Sequence, residues 1–91
     1  MKVLKFNAIW CSACLVMKKV FKHVENMHPE LEFVTYDYDI DEDMVEKYNI
    51  GTTIPVLIFL DKEENEIARI VGEKSYEEIE TVIASIEENK R

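Results

Sequence analysis

Residues 10–14 read Trp10-Cys11-Ser12-Ala13-Cys14, and they stand where an apolar strand pattern, Val3-Leu4-Lys5-Phe6, gives way to a helical one. Two cysteines separated by two residues can cycle between dithiol and disulfide, can form half of a zinc site, or can be buried structural thiols. The geometry favours cycling. A helix beginning at Cys11 sets both sulfurs on adjoining parts of its first turn, close enough to bond. A helix N-terminus leaves backbone N–H groups unpaired and carries partial positive charge, which favours a thiolate over a thiol. No acid competes for that place. Ser12, Ala13 and Cys14 are neutral, and the next charges are Lys18 and Lys19. An acid-free first turn suits a reactive Cys11.

The rest of the composition bounds the answer. At 91 residues the chain is expected to be a single domain over 1–91, near the lower size limit of one unstapled core. Hydrophobic residues make up 47%, enough for packing and against disorder. The net charge of −8 argues against nucleic acid and against anionic membrane surfaces. No signal peptide is visible, and no stretch is long enough to span a membrane. With two cysteines the chain is no disulfide scaffold, and a cytosolic location is expected.

Outward from the motif, Lys2–Asn7 suits a central strand covered on both faces. A helix from about Cys11 to Met27 follows, with Ala13, Met17, Val20, Phe21, Val24 and Met27 on its apolar stripe and Lys18, Lys19, Lys22, Glu25 and Asn26 opposite. His28-Pro29 stops it. Leu31–Tyr38 is rich in strand formers and runs into acids, which would guard an edge strand. Asp41 is expected to cap a short helix over Glu42–Tyr48, with Asn49 and Gly51 as stop residues. Val56–Leu60 is a strongly apolar strand. After a charged turn, Glu66–Val71 alternates, with Ile67, Arg69 and Val71 on one face, and Gly72 ends it. Ser75 and Glu78 form a capping box for a last helix striped by Ile79, Val82, Ile83 and Ile86, with Glu87–Arg91 frayed. The order β-α-β-α-β-β-α makes the first two strands parallel and the last two an antiparallel hairpin. One mixed four-stranded sheet with helices on both faces satisfies that order.

These features together resemble the thioredoxin superfamily over nearly the whole chain. Ala8-Ile9-Trp10-Cys11-Ser12-Ala13-Cys14 is similar to the family's A-x-W-C-x-x-C. Tyr48-Asn49-Ile50 followed by Ile54-Pro55 looks like the family's Tyr-x-Ile and its cis proline, and Val71-Gly72 matches a family glycine. The resemblance implies an α/β thioredoxin-like fold in the minimal, glutaredoxin-sized layout, with sheet order 2-1-3-4. The Cys11 helix and the last helix would cover one face, and the short helix the other. The family's additional N-terminal strand and helix have no counterpart ahead of Lys2. The resemblance also implies roles. Cys11, the more exposed thiol, attacks a substrate disulfide, and Cys14 resolves the mixed disulfide. Trp10 flanks the sulfurs, Pro55 is cis and faces them, and the Ile54 backbone pairs with an extended substrate. No cofactor or metal is implied. The implied partners are protein disulfide substrates and an unidentified reductase or thiol donor, with a monomer as the default. Without the cysteines, Pro55 would read as an ordinary trans proline opening a strand.

The departures from the family are specific. Ser12-Ala13 replaces thioredoxin's Gly-Pro and glutaredoxin's Pro-Tyr, which bears on the redox potential. Lys5 stands where thioredoxins carry a buried aspartate. It either favours a Cys14 thiolate as a nearby cation or snorkels out at the sheet end. Lys19 replaces a kinking proline, so the first helix is expected to be straighter.

The leading reading is a thiol–disulfide oxidoreductase acting as a cytosolic reductant. A glutathione-dependent, glutaredoxin-like enzyme comes second, because Thr53-Ile54-Pro55 fits but only Gly72-Glu73 stands where a glutathione-holding glycine pair is needed. A non-catalytic binding module, with Tyr36 and Tyr38 on its surface, comes third. A metal site of Cys11, Cys14, His23 and His28 is disfavoured, because the histidines lie about 140° apart around one helix.

Overall fold

The computed structural model describes residues 1–89, with elements β1 (Lys2–Asn7), α1 (Ser12–Met27), β2 (Glu32–Asp37), α2 (Glu42–Lys47), β3 (Val56–Leu60), β4 (Glu66–Val71) and α3 (Tyr76–Asn89). The strands form one four-stranded sheet in the order β2-β1-β3-β4. β1 pairs parallel with β2, from Lys2 opposite Glu32 to Asn7 opposite Asp37. β3 runs antiparallel to β1 and to β4. The sheet order, the pairing directions and the helix placement all match the expected minimal layout.

All five residues of β3 are buried, so the run looks continuous, yet its side chains alternate between two apolar layers. Leu57 and Phe59 join Val3, Met17, Phe21, Val24, Ile79 and Ile83 beneath α1 and α3. Val56, Ile58 and Leu60 join Leu4, Phe6 and Ile50, with Met44, Val45 and Tyr48 of α2 packed against them. The two cysteines belong to this second layer. The redox motif therefore sits at the end of the sheet where β1 hands over to α1.

Several boundaries moved, each for a local reason. Met27 is 56% exposed and lies off the α1 stripe, while Cys14 is on it. Glu25 is not on the solvent side but turns in to meet Lys5 of β1. Asp41 holds the N-cap position of α2 without bonding it. Its carboxylate instead accepts the Asp37 N–H at 2.8 Å, closing the turn after β2. Asn49, not Gly51, takes the left-handed conformation that ends α2, with φ 52°. On β4, Ile67 and Val71 share the exposed face, and Ile70 is the buried residue. Arg69 covers part of that face by donating to the Tyr48 carbonyl at 2.6 Å. Of the expected fray, Glu87–Asn89 is helical, and Lys90 and Arg91 lie outside the described residues. No helix among the described residues is long and apolar enough to cross a membrane.

Candidate redox site

α1 begins at Ser12, which makes Cys11 its N-cap. The Cys11 sulfur takes the place usually held by a serine or aspartate oxygen and accepts the Cys14 N–H at 3.1 Å. One of the helix's orphan donors is thus spent on sulfur, and the first turn contains no acid, as expected. The turn is set by Cys11 N–H donating to the Ala8 carbonyl at 3.2 Å, which folds Ile9-Trp10 outward. Both cysteines are free thiols.

The second wall of the site is the Ile54–Pro55 peptide, which is cis. The Ile54 carbonyl accepts the Cys11 thiol at 3.5 Å, so the turn lies directly against the sulfur. Gly72 holds that turn from behind by donating to the Pro55 carbonyl at 2.8 Å. Its φ of +83° is open to glycine and disfavours an L side chain.

Trp10 is 59% exposed beside the motif. Its indole Nε1–H donates to Asp39 Oδ2 at 2.6 Å, and its ring meets Tyr38 edge-on with centroids 6.1 Å apart. Asp39 is a site residue that sequence reading missed. The acid-rich run after β2 was visible, but only the fold shows that it ends under the tryptophan.

One expectation needs correcting. Cys11 is not the more exposed thiol: it is 6% exposed and Cys14 9%. The turn through Ile54 closes over Cys11 as tightly as the helix closes over Cys14. The thiols are distinguished by their partners instead. Burial, with hydrogen bonding to Cys11 next, pushes the Cys14 thiol up to about 11.

Ser12 is exposed and Ala13 half-buried, so the residues between the cysteines present one polar and one small side chain at the surface. Lys5 does not snorkel into solvent. Its side chain is 13% exposed and its ammonium lies 3.0 Å from Glu25. The histidines do not join the cysteines. His23 packs on Tyr76 with ring centroids 4.2 Å apart. His28 is taken up by Glu30 and Glu80. Among the described residues, the group with metal-ligand spacing is His28, Glu30 and Glu87, far along the chain from the motif.

A helix-capping CxxC against a cis-proline turn, at the end of a 2-1-3-4 sheet, invites comparison with known proteins. The family model described as Thioredoxin matches residues 1–85. The chain belongs to the thioredoxin family. Thioredoxin H5 of Oryza sativa subsp. japonica is 37% identical over 70 residues, covering 77% of this chain and 50% of that protein. A thioredoxin of Chlamydia pneumoniae is 37% identical over 81 residues, covering 86% of this chain and 74% of that one. The crystal structure of the thioredoxin NaTrxh from Nicotiana alata superposes with a TM-score of 0.84 at 28% identity, covering 92% of this chain and 70% of that one. The chain spans about half the length of the rice thioredoxin H5 and of the Arabidopsis thaliana thioredoxin H10 that it matches. Thioredoxin-family membership agrees with the fold and with the presence of the cysteine pair.

Proposed function

We propose that this chain is a single-domain thiol–disulfide oxidoreductase that reduces protein disulfides through Cys11 and Cys14. The observation that carries the reading is the Cys11 sulfur at the N-cap of α1, receiving the Cys14 N–H and facing the cis Ile54–Pro55 turn. Negative charge on that sulfur is met by an oriented backbone N–H and the positive end of a 16-residue helix.

The chemistry balances as two exchanges. The Cys11 thiolate attacks one sulfur of a substrate disulfide, which releases the other sulfur as a thiolate and leaves a mixed disulfide on Cys11. The Cys14 sulfur, once deprotonated, attacks Cys11. The Cys11–Cys14 bond forms, the bond to substrate breaks with its electron pair on the substrate sulfur, and that sulfur takes up a proton. The substrate gains two electrons and the pair is left oxidised. Trp10 and the Ile54 backbone beside Pro55 supply the docking surface for an extended segment, and Ser12-Ala13 tunes the potential. A reductase or a thiol donor returns the pair to the dithiol. With only two cysteines in the chain, the reading favours a reductant in a reducing compartment such as the cytosol. A monomer is sufficient for every step.

Insulin disulfide reduction with dithiothreitol as donor tests the reading. Cys11→Ser abolishes catalysis, while Cys14→Ser accumulates a covalent Cys11–substrate mixed disulfide visible by mass. Equal activity in the Cys11→Ser variant would overturn the assignment. Equilibration of the pair in glutathione buffers then sorts the direction of use. A potential near about −270 mV fits a reductant, and roughly −200 to −230 mV fits a glutaredoxin-like role.

A further inference from the structure

Cys14 also borders an opening whose lining does not include the cis-proline turn. It is a cleft of about 420 Å³ lined among others by Lys5, Asn7, Cys14, Lys18, Phe21 and Asp37. The ionisable groups that line this cleft with Cys14 are Lys18 from α1, Lys5 from β1 and Asp37 from β2, and the Cys11 sulfur accepts the Cys14 N–H. The Ile54–Pro55 turn brings none. Lys18 is exposed, so solvent screens its charge. Asp37 is half-buried, and its Oδ1 is already held by the Asp39 and Ile40 N–H groups at 2.8 and 3.1 Å. Lys5 is different. Its side chain is withdrawn from water, its Nζ lies over the Phe21 ring 5.8 Å from the centroid, and its charge is shared with a single carboxylate, Glu25.

We propose that Lys5, its position set by Glu25, is a positioning residue that stabilises the anionic form of Cys14 across this cleft and thereby sets the rate at which the mixed disulfide is resolved. The proposal rests on the oxidoreductase reading, in which Cys14 must lose its proton before it attacks Cys11. A thiol in that setting is held protonated by burial. A cation in the same cleft acts in the opposite direction. Glu25 moderates it, because a paired ammonium presents less net charge to Cys14 than a free one does. The pair therefore acts as a graded control, and its two members have opposite effects.

That opposition gives the test. In a Cys11→Ser background, Cys14 is the sole thiol, and its ionisation is followed by ultraviolet thiolate absorbance against pH. Lys5→Met moves the Cys14 midpoint upward by up to about 1 pH unit, and Glu25→Gln moves it downward. Lys5→Arg keeps the starting midpoint. With Cys11 restored, the release of the second thionitrobenzoate from a Cys11 mixed disulfide slows about tenfold in Lys5→Met at neutral pH and quickens in Glu25→Gln. Midpoints that stay put, or that shift in the same direction in both variants, overturn the proposal. If Lys5→Met does not fold, the direction of the Glu25→Gln shift decides alone. The titration needs no turnover, so its failure is distinguishable from a failure of the unvaried chain to reduce insulin.

Discussion

At the scale of the residue, the two thiols are separated by their partners more than by exposure. Cys14 is driven toward the thiol by burial and by hydrogen bonding with Cys11, to about 11. At neutral pH almost none of it is anionic, which keeps it from reacting with solvent-borne electrophiles. In the reduced chain under trace iodoacetamide, Cys14 modification rises about tenfold per pH unit toward pH 11, since the thiolate is the nucleophile. A plateau already at the ordinary thiol value of 9.0 would mean that the burial is not felt. Trp10 offers a second residue-level test. Its contact to Asp39 is exposed, so its strength is modest and its main effect is orientation. Asp39→Ala is expected to leave stability within about 0.5 kcal/mol. It also reduces the difference in Trp10 fluorescence between the dithiol and disulfide forms. An unchanged difference would show that Tyr38 alone holds the indole.

At the scale of the element, what was legible was local chemistry. Ser75 and Glu78 announce the start of α3, and the structure shows the Glu78 N–H donating to Ser75 Oγ at 3.1 Å. Ser75→Ala is expected to cost about 1 kcal/mol, read as a lower denaturant midpoint with an unchanged slope. His28 was legible as a helix stop and a disfavoured metal ligand, not as a link between helices. Its partner Glu80 lies 52 residues away, at 2.7 Å from Nε2, and no local pattern encodes that contact. Glu30 takes Nδ1 at 2.9 Å, so the imidazolium pins the end of α1 to α3. Burial lowers the affinity of His28 for its proton, but hydrogen bonds to Glu80 and Glu30 outweigh it and the net direction is up from 6.5. The sign follows. This stabilisation is fully present below about 6.5 and is lost as pH rises through the folded value. The melting temperature therefore declines as pH rises above about 6.5 in the unvaried chain, and declines less in His28→Gln. Parallel profiles would remove His28 from the account. Asp41 failed as a cap for a related reason. Its carboxylate had a second use, the Asp37 N–H, that depends on how β2 ends.

At the scale of the whole molecule, the order of elements, the parallel first pair and the final hairpin were all readable, because each follows from hydrophobic period and connection length. The division of labour between the two sheet faces was less so. A continuous run such as Val56–Leu60 hides its alternation, and the layers separate only once β3 sits between β1 and β4. That separation has a consequence. Ile83 is 1% exposed in the layer beneath α1 and α3, whereas Cys11 and Cys14 belong to the layer on the α2 side. Truncating Ile83 to alanine removes buried methylenes and leaves a cavity, at a cost of about 2–5 kcal/mol. That is a large share of the roughly 5–15 kcal/mol that holds a typical domain folded, so the measurement belongs at low temperature. If the central sheet isolates its two faces, the Cys11–Cys14 redox equilibrium of Ile83→Ala matches the unvaried chain under conditions where both are folded. A potential that moves together with the stability loss would mean that the sheet transmits packing strain from one layer to the other. The site would then be a property of the whole core rather than of the α1 terminus and the cis-proline turn.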